Sequence, residues 1–153
     1  MENSRVYTIF AGINGAGKST LYYTLEDISF GIRLNSDEVV EQEGKDWKDW
    51  GSQLSAGKKV IELQRKCLEE GYSMNRETTL ADNSIFLLID KLREKDYQIQ
   101  LFYVGVDSLD IAKKRVKERV MRGGHGVPEN VMESRYRIMQ KNIVRIIPHC
   151  DKI

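Results

Sequence analysis

The sequence is short of cysteine, of long apolar runs and of net charge of either sign. Two cysteines, Cys67 and Cys150, cannot build a disulfide framework, and their spacing matches no metal motif. No run approaches the roughly 18 apolar residues that a membrane span needs. The opening MENSRVYTIF puts Glu2 and Arg5 ahead of only a short apolar stretch, unlike a signal peptide. A cytoplasmic protein with reduced thiols is expected. Lys plus Arg total 24 against 23 Asp plus Glu, a net charge of +1. That balance argues against a general binder of nucleic acid or membrane surface.

What is present reads as a globular chain. Hydrophobic residues are 41% and charged residues 31% of the 153, the composition and length of one ordinary domain over residues 1–153. Charge is uneven along it. Residues 1–108 hold 13 Lys/Arg and 18 Asp/Glu, net −5, whereas residues 109–148 hold 10 and 4, net +6. A basic last third gains meaning if something polyanionic sits opposite it.

Strands and helices alternate. Val6–Ala11 is β-branched and aromatic, and a helix is expected from Lys18 to about Asp27. A short strand follows at Ile32–Asn35, then a helix from Gln53 to Glu70 stopped by Gly71, and a weak strand from Tyr72 to Arg76. Asp82 or Asn83 can cap a helix running through Leu92, and Gln98–Val106 is the clearest strand. Asp107-Ser108 offers the cap of a helix reaching Met121, and Pro128 opens a last helix in its first turn. This order predicts an α/β fold: a three-layer P-loop NTPase-type domain, its parallel sheet covered by helices on both faces. A final strand is expected to begin after Pro148, so one C-terminal edge strand is expected to lie past Ile153.

Gly12-Ile-Asn14-Gly15-Ala16-Gly17-Lys18-Ser19 fits the Walker A pattern, and Thr20 follows it. The glycines let backbone N–H groups turn inward around a phosphate, and the helix that starts at Lys18 aims its positive end at the same anion. Lys18 supplies a point charge for the β- and γ-oxygens, and the Ser19 hydroxyl suits Mg²⁺. ATP and Mg²⁺ are therefore the expected ligands. The loop lies between a strand and a helix, the context that gives the pattern its meaning.

In a parallel sheet the strand C-termini gather at the edge that carries this loop. Asn35-Ser36-Asp37 follows the second strand, and Asp37 there can take a proton from an attacking hydroxyl, hold a metal, or simply cap the next turn. Glu77-Thr78-Thr79 follows the third strand with one acceptor and two hydroxyls, suited to a hydroxylated substrate or a phosphate, or to capping a helix. Arg115, Arg119 and Arg122 line one face of the helix after strand 98–106. Gly123-Gly124 offers a hinge, so that Arg122, His125, Arg135 and Arg137 flank a lid over residues 122–135 that can close on the phosphates. His125 in that turn reads as a hinge or contact residue.

Gly12–Ser19, Asn35-Ser-Asp37, Glu77-Thr-Thr-Leu80 and Arg122-Gly-Gly-His-Gly-Val-Pro128, with Arg135-Tyr136 beyond, resemble the zeta toxin family in order along nearly the whole chain, and most of all its compact P-loop branch. The resemblance implies a kinase that moves the ATP γ-phosphate to the 3′-hydroxyl of the sugar in UDP-N-acetylglucosamine. It implies that Gly12, Asn14, Gly15, Ala16, Gly17, Lys18, Ser19 and Thr20 bind ATP, that Asp37 is the base, that Asp37, Glu77, Thr78, Thr79 and His125 hold the sugar nucleotide, and that lid arginines among Arg119, Arg122 and Arg135 clamp the γ-phosphate. It also implies an antitoxin protein as partner. The rival readings are a different small-molecule kinase on the same scaffold and a nucleotide-binding regulatory module with little turnover.

Overall fold

The computed structural model describes residues 4–153. Four parallel strands form one sheet in the order β2-β3-β1-β4, with β1 Val6–Ala11, β2 Ile32–Leu34, β3 Met74–Thr78 and β4 Gln98–Tyr103. Around them run α1 Lys18–Thr24, α2 Ser36–Gln42, α3 Trp50–Glu70, α4 Ser84–Glu94, α5 Leu109–Met121 and α6 Glu129–Ile146, followed by a 3₁₀ turn at Ile147–His149. Strand β1 is central because it can be: its β-branched and aromatic run is buried from Tyr7 onward and pairs on both sides. Tyr7, Ile9 and Ala11 face a large core that includes Met74, Ile99, Leu101, Leu88, Leu92, Met132 and Ile146. Phe10, on the other face, stacks on Phe102 (ring centroids 5.0 Å apart) and meets Phe30 and Tyr22 of α1 edge-on. Among the described residues no helix is long and apolar enough to cross a membrane.

Several boundaries differ from the sequence expectation. Strand β3 begins at Met74, not Tyr72, because Gly71 closes α3 in a left-handed turn and the Tyr72 amide donates back to Cys67 O (3.0 Å). Pairing starts only where Met74 meets Tyr7 and Ile32, so Glu77 and Thr78 end the strand instead of following it. Strand β4 stops at Tyr103, short of Val106: β1 turns away after Ala11, whose carbonyl takes the last bond, from Val104 N (2.8 Å). Helix α3 begins three residues early because Asp49 caps it, accepting from Ser52 N at 2.8 Å. Pro128 stands at the N-cap of α6, one residue before the first turn. Asp151 N and Leu101 N tie the last residues to the free edge of β4, where Lys152 bridges Gln100. Both cysteines are free, and burial pushes the Cys150 thiol up to about 11.

Candidate active site

The phosphate loop leaves β1 at Gly12, whose N–H donates to Thr78 O at 3.1 Å, so the loop is tied at once to the end of β3. Gly15 and Gly17 hold φ of +81° and +104°, and a Cβ on Gly15 would stand 2.5 Å from Ala112 O of α5. Those two residues therefore need to be glycine. Ala16 is buried, and its N–H donates to Ile13 O at 3.0 Å, closing the loop on itself. Gly15 through Leu21, with Thr24, Arg115 and Arg119, line a hollow of about 600 Å³.

Lys18 points inside. The side chain is only 9% exposed, and its ammonium donates to Ile13 O at 3.2 Å. Burial pulls its pKa down to about 8; Glu77 and Asp37 act to raise it, while Arg119 and Arg135 act to lower it. Five charged side chains from five elements thus share one electrostatic neighbourhood. Ser19 Oγ donates to Glu77 Oε2 at 3.1 Å. This hydroxyl and carboxylate are hard oxygen donors side by side, a pair that would suit Mg²⁺.

Glu77 is positioned by a residue that sequence reading overlooked. Arg33 of β2 reaches Glu77 Oε1 at 2.9 Å and Glu38 Oε1 at 2.7 Å, hydrogen-bonds Asn75 Oδ1 at 3.1 Å and lies 3.7 Å over the Tyr22 ring. Burial opposes the guanidinium charge, but the bonds to Glu38 and Glu77 outweigh it and raise the Arg33 pKa. With Arg33 on Oε1, the other carboxylate oxygen of Glu77 faces Ser19. The signal was an arginine between the apolar Ile32 and Leu34 of a strand.

Asp37 is not the cap of α2. Asn35 is, its Oδ1 accepting from Asp37 N (3.0 Å) and Glu38 N (3.4 Å). The Asp37 carboxylate is thereby free of capping work, half in solvent, and 3.9 Å from His125 Nε2. Thr78, expected to offer a free hydroxyl, uses its Oγ1 to accept from Leu80 N at 2.9 Å, and Thr79 is half-buried beside it. Thr20 is exposed on the rim of the hollow.

The arginines divide. Arg135 Nη1 donates to Asn14 Oδ1 at 3.1 Å, Arg115 reaches Gly15 O at 3.4 Å, and Arg119 Nε donates to His125 O at 2.6 Å. Arg122 caps the end of α5 from an exposed position, and neither lines the hollow nor acts on Lys18. The stretch expected to be one lid is two things: residues 122–128 are loop, while 129–135 already belong to α6. Helix α6 is held there because Met132 and Met139 are core residues.

Fold and loop together define an α/β domain of the P-loop kinase-like fold. The chain belongs to the zeta toxin family, whose model matches residues 2–151. It is 30% identical over 136 residues to an uncharacterized protein of Haemophilus influenzae, covering 89% of this chain and 94% of that one. In fold it is similar to a chain of the Pnkp1/Rnl/Hen1 RNA repair complex (TM-score 0.74, 17% identity, 95% of this chain and 47% of that chain). It is also similar to a chain of the PezAT chromosomal toxin–antitoxin system of Streptococcus pneumoniae (TM-score 0.65, 16% identity, 99% and 66%). The chain thus spans about half of the first structure's length and two thirds of the second's.

Proposed function

We propose that this protein is a kinase that transfers the ATP γ-phosphoryl group to a hydroxyl of a UDP-amino sugar, UDP-N-acetylglucosamine being the acceptor the family relation favours. The observation that carries the proposal is the convergence of Lys18, Asp37, Glu77, Arg119 and Arg135 on one site. A regulatory module with little turnover needs no base beside an acceptor, whereas a kinase needs a carboxylate there to receive the acceptor's proton.

In the transfer, the acceptor oxygen bonds to the γ-phosphorus as the bond from that phosphorus to the β,γ-bridging oxygen breaks. ADP leaves, and the hydroxyl proton passes to Asp37. Lys18 and the loop N–H groups hold the β- and γ-phosphates, and Arg119 and Arg135 offset negative charge on the moving group. Ser19 and Glu77 would hold Mg²⁺, which supplies charge neutralisation on the triphosphate. Thr79, half-buried just past the end of β3, is left to meet the acceptor. The toxin–antitoxin neighbour supports an antitoxin as protein partner.

The test is ATP turnover with and without UDP-N-acetylglucosamine, with the phosphorylated sugar nucleotide identified by mass. Stimulation that Asp37→Asn lowers by about a hundredfold or more, with ATP affinity retained, is the expected result. Turnover indifferent to the sugar nucleotide but stimulated by another alcohol would move the acceptor assignment to a different small-molecule kinase. A collapse of ATP binding in Asp37→Asn would make Asp37 a metal ligand and remove it as base.

A further inference from the structure

Two loops meet over Asp37. One joins α2 to α3 and carries Trp47; the other joins α5 to α6 and carries His125 and Gly126. The rings of Trp47 and His125 lie 4.7 Å apart, centroid to centroid, tilted by 51°. Gly126 passes beneath the same indole, where a Cβ would stand 2.9 Å from Trp47 Cη2 and 2.7 Å from Val120 Cγ2. Both loops are anchored from behind. Gln53 Nε2 donates to Trp47 O at 3.0 Å, and Arg119 Nε donates to His125 O at 2.6 Å. The imidazole is thus gripped on its face and through its own backbone.

Its two nitrogens have different surroundings. Nδ1 is buried without a partner, and Nε2 faces Asp37 Oδ1 at 3.9 Å. A proton on Nδ1 would be an orphaned donor in the protein interior, whereas a proton on Nε2 points at a carboxylate. The Nε2–H tautomer is therefore the stable one. A contraction of about 1 Å between the loops and α2 would turn this contact into a hydrogen bond.

We propose that His125, clasped by Trp47, is the positioning residue of the base: it presents Nε2–H to Asp37 and aims that carboxylate at the acceptor hydroxyl. The proposal rests on the reading of Asp37 as base. The groups around the imidazole are consistent with a neutral ring at physiological pH. Burial lowers the His125 pKa, Asp37 of α2 raises it, and Arg119 of α5 and Arg135 of α6 lower it further, with Lys48 standing 5.4 Å from the Trp47 ring behind it. When the ring does gain a proton, an imidazolium pairs with Asp37 and competes with the acceptor hydroxyl for that carboxylate. Turnover then falls as pH drops through the His125 midpoint.

The chain has two histidines, His125 and His149, so a ring-labelled NMR titration with His149→Gln as the assignment control reads His125 directly. His125 is expected to titrate below its ordinary 6.5. Asp37→Asn should lower its proton affinity further, by roughly fivefold, the effect of one charge about 4 Å away in a water-like medium. In a Trp50→Phe background, Trp47 fluorescence should be quenched as His125 protonates, and His125→Gln should remove that quenching. His125→Gln should also cut kcat about tenfold or more, leave KM for ATP nearly unchanged and erase the acid limb of the pH profile. A His125 midpoint unmoved by Asp37→Asn overturns the pairing whatever the turnover. A coupled midpoint with kcat and pH profile intact in His125→Gln overturns the positioning role. Coupling in a protein that transfers no phosphoryl group supports the pair and counts against the kinase reading alone.

Discussion

At the scale of a residue, Lys18 carries the sharpest tension. The sequence places it in a loop that reads as solvated, yet the side chain is 9% exposed with one carbonyl as partner. A cation kept there before any phosphate arrives is a cost. Its pKa falls from 10.5 to about 8, so between those values the folded protein holds fewer protons than the unfolded chain. Stability from this group therefore rises with pH across that window. Below it the buried charge costs about 3 kcal/mol, at roughly 1.4 kcal/mol per unit. Lys18→Met should abolish transfer while stabilising the ligand-free protein by about 1–3 kcal/mol at pH 7, read as a higher melting temperature. A triphosphate restores a partner and draws the pKa back up. Nucleotide binding near pH 8 should then take up part of a proton, measurable by calorimetry in buffers of different ionisation enthalpy.

At the scale of an element, the turn after β3 depends on a helix distant in sequence. Leu80 is buried with a left-handed φ of 53°, a strained state for a leucine. Its carbonyl accepts from Asn142 Nδ2 of α6 at 2.7 Å, and the same amide lies 3.4 Å from Asp82 O. Asn142 is itself buried, and Arg145 donates to its Oδ1 at 2.8 Å. Asn142→Ala would leave the Leu80 carbonyl buried without a partner, at a cost of about 1–3 kcal/mol in urea unfolding. It should also loosen Thr78 and Thr79, so acceptor KM should rise more than ATP affinity falls. Equal loss of both would assign Asn142 to general stability instead of to this turn.

At the scale of the molecule, any closure over a bound nucleotide is confined to a short segment. Helix α6 buries Met132, Met139 and Ile146 and cannot swing without opening the core. Its amides from residue 132 on should be protected from exchange in the ligand-free protein. The loop at 122–128 is held by Arg119 and Trp47, with Gly126 buried and Val127 packed on the core, and it stands among Arg119, Arg122 and Arg135. Adding a non-hydrolysable ATP analogue with Mg²⁺ should protect that loop, because the anion offsets the repulsion of the arginines. Equal protection with and without ligand would rule out closure there and leave a preformed site.

How much was legible follows from which interactions are local. The Walker loop, the α/β alternation and the strand at Val6–Ala11 depend on neighbours in the chain, where glycine φ values, caps and hydrophobic spacing act, and those readings carried into the structure. The places that shifted were set by pairing partners: β3 starts where Tyr7 and Ile32 lie opposite it, and β4 stops where β1 departs. The same divide runs through the site. Residue types alone marked Lys18, Asp37, Glu77 and the arginines as candidates. Only the folded chain decided that Arg33 supports Glu77, that Asn35 releases Asp37 from capping, that Arg135 reaches Asn14 while Arg122 does not reach the hollow, and that Trp47 meets His125. All of these but the local Asn35 cap join residues far apart in sequence. They exist because a parallel sheet gathers its strand ends at one edge, and no spacing along the chain encodes which side chains then meet.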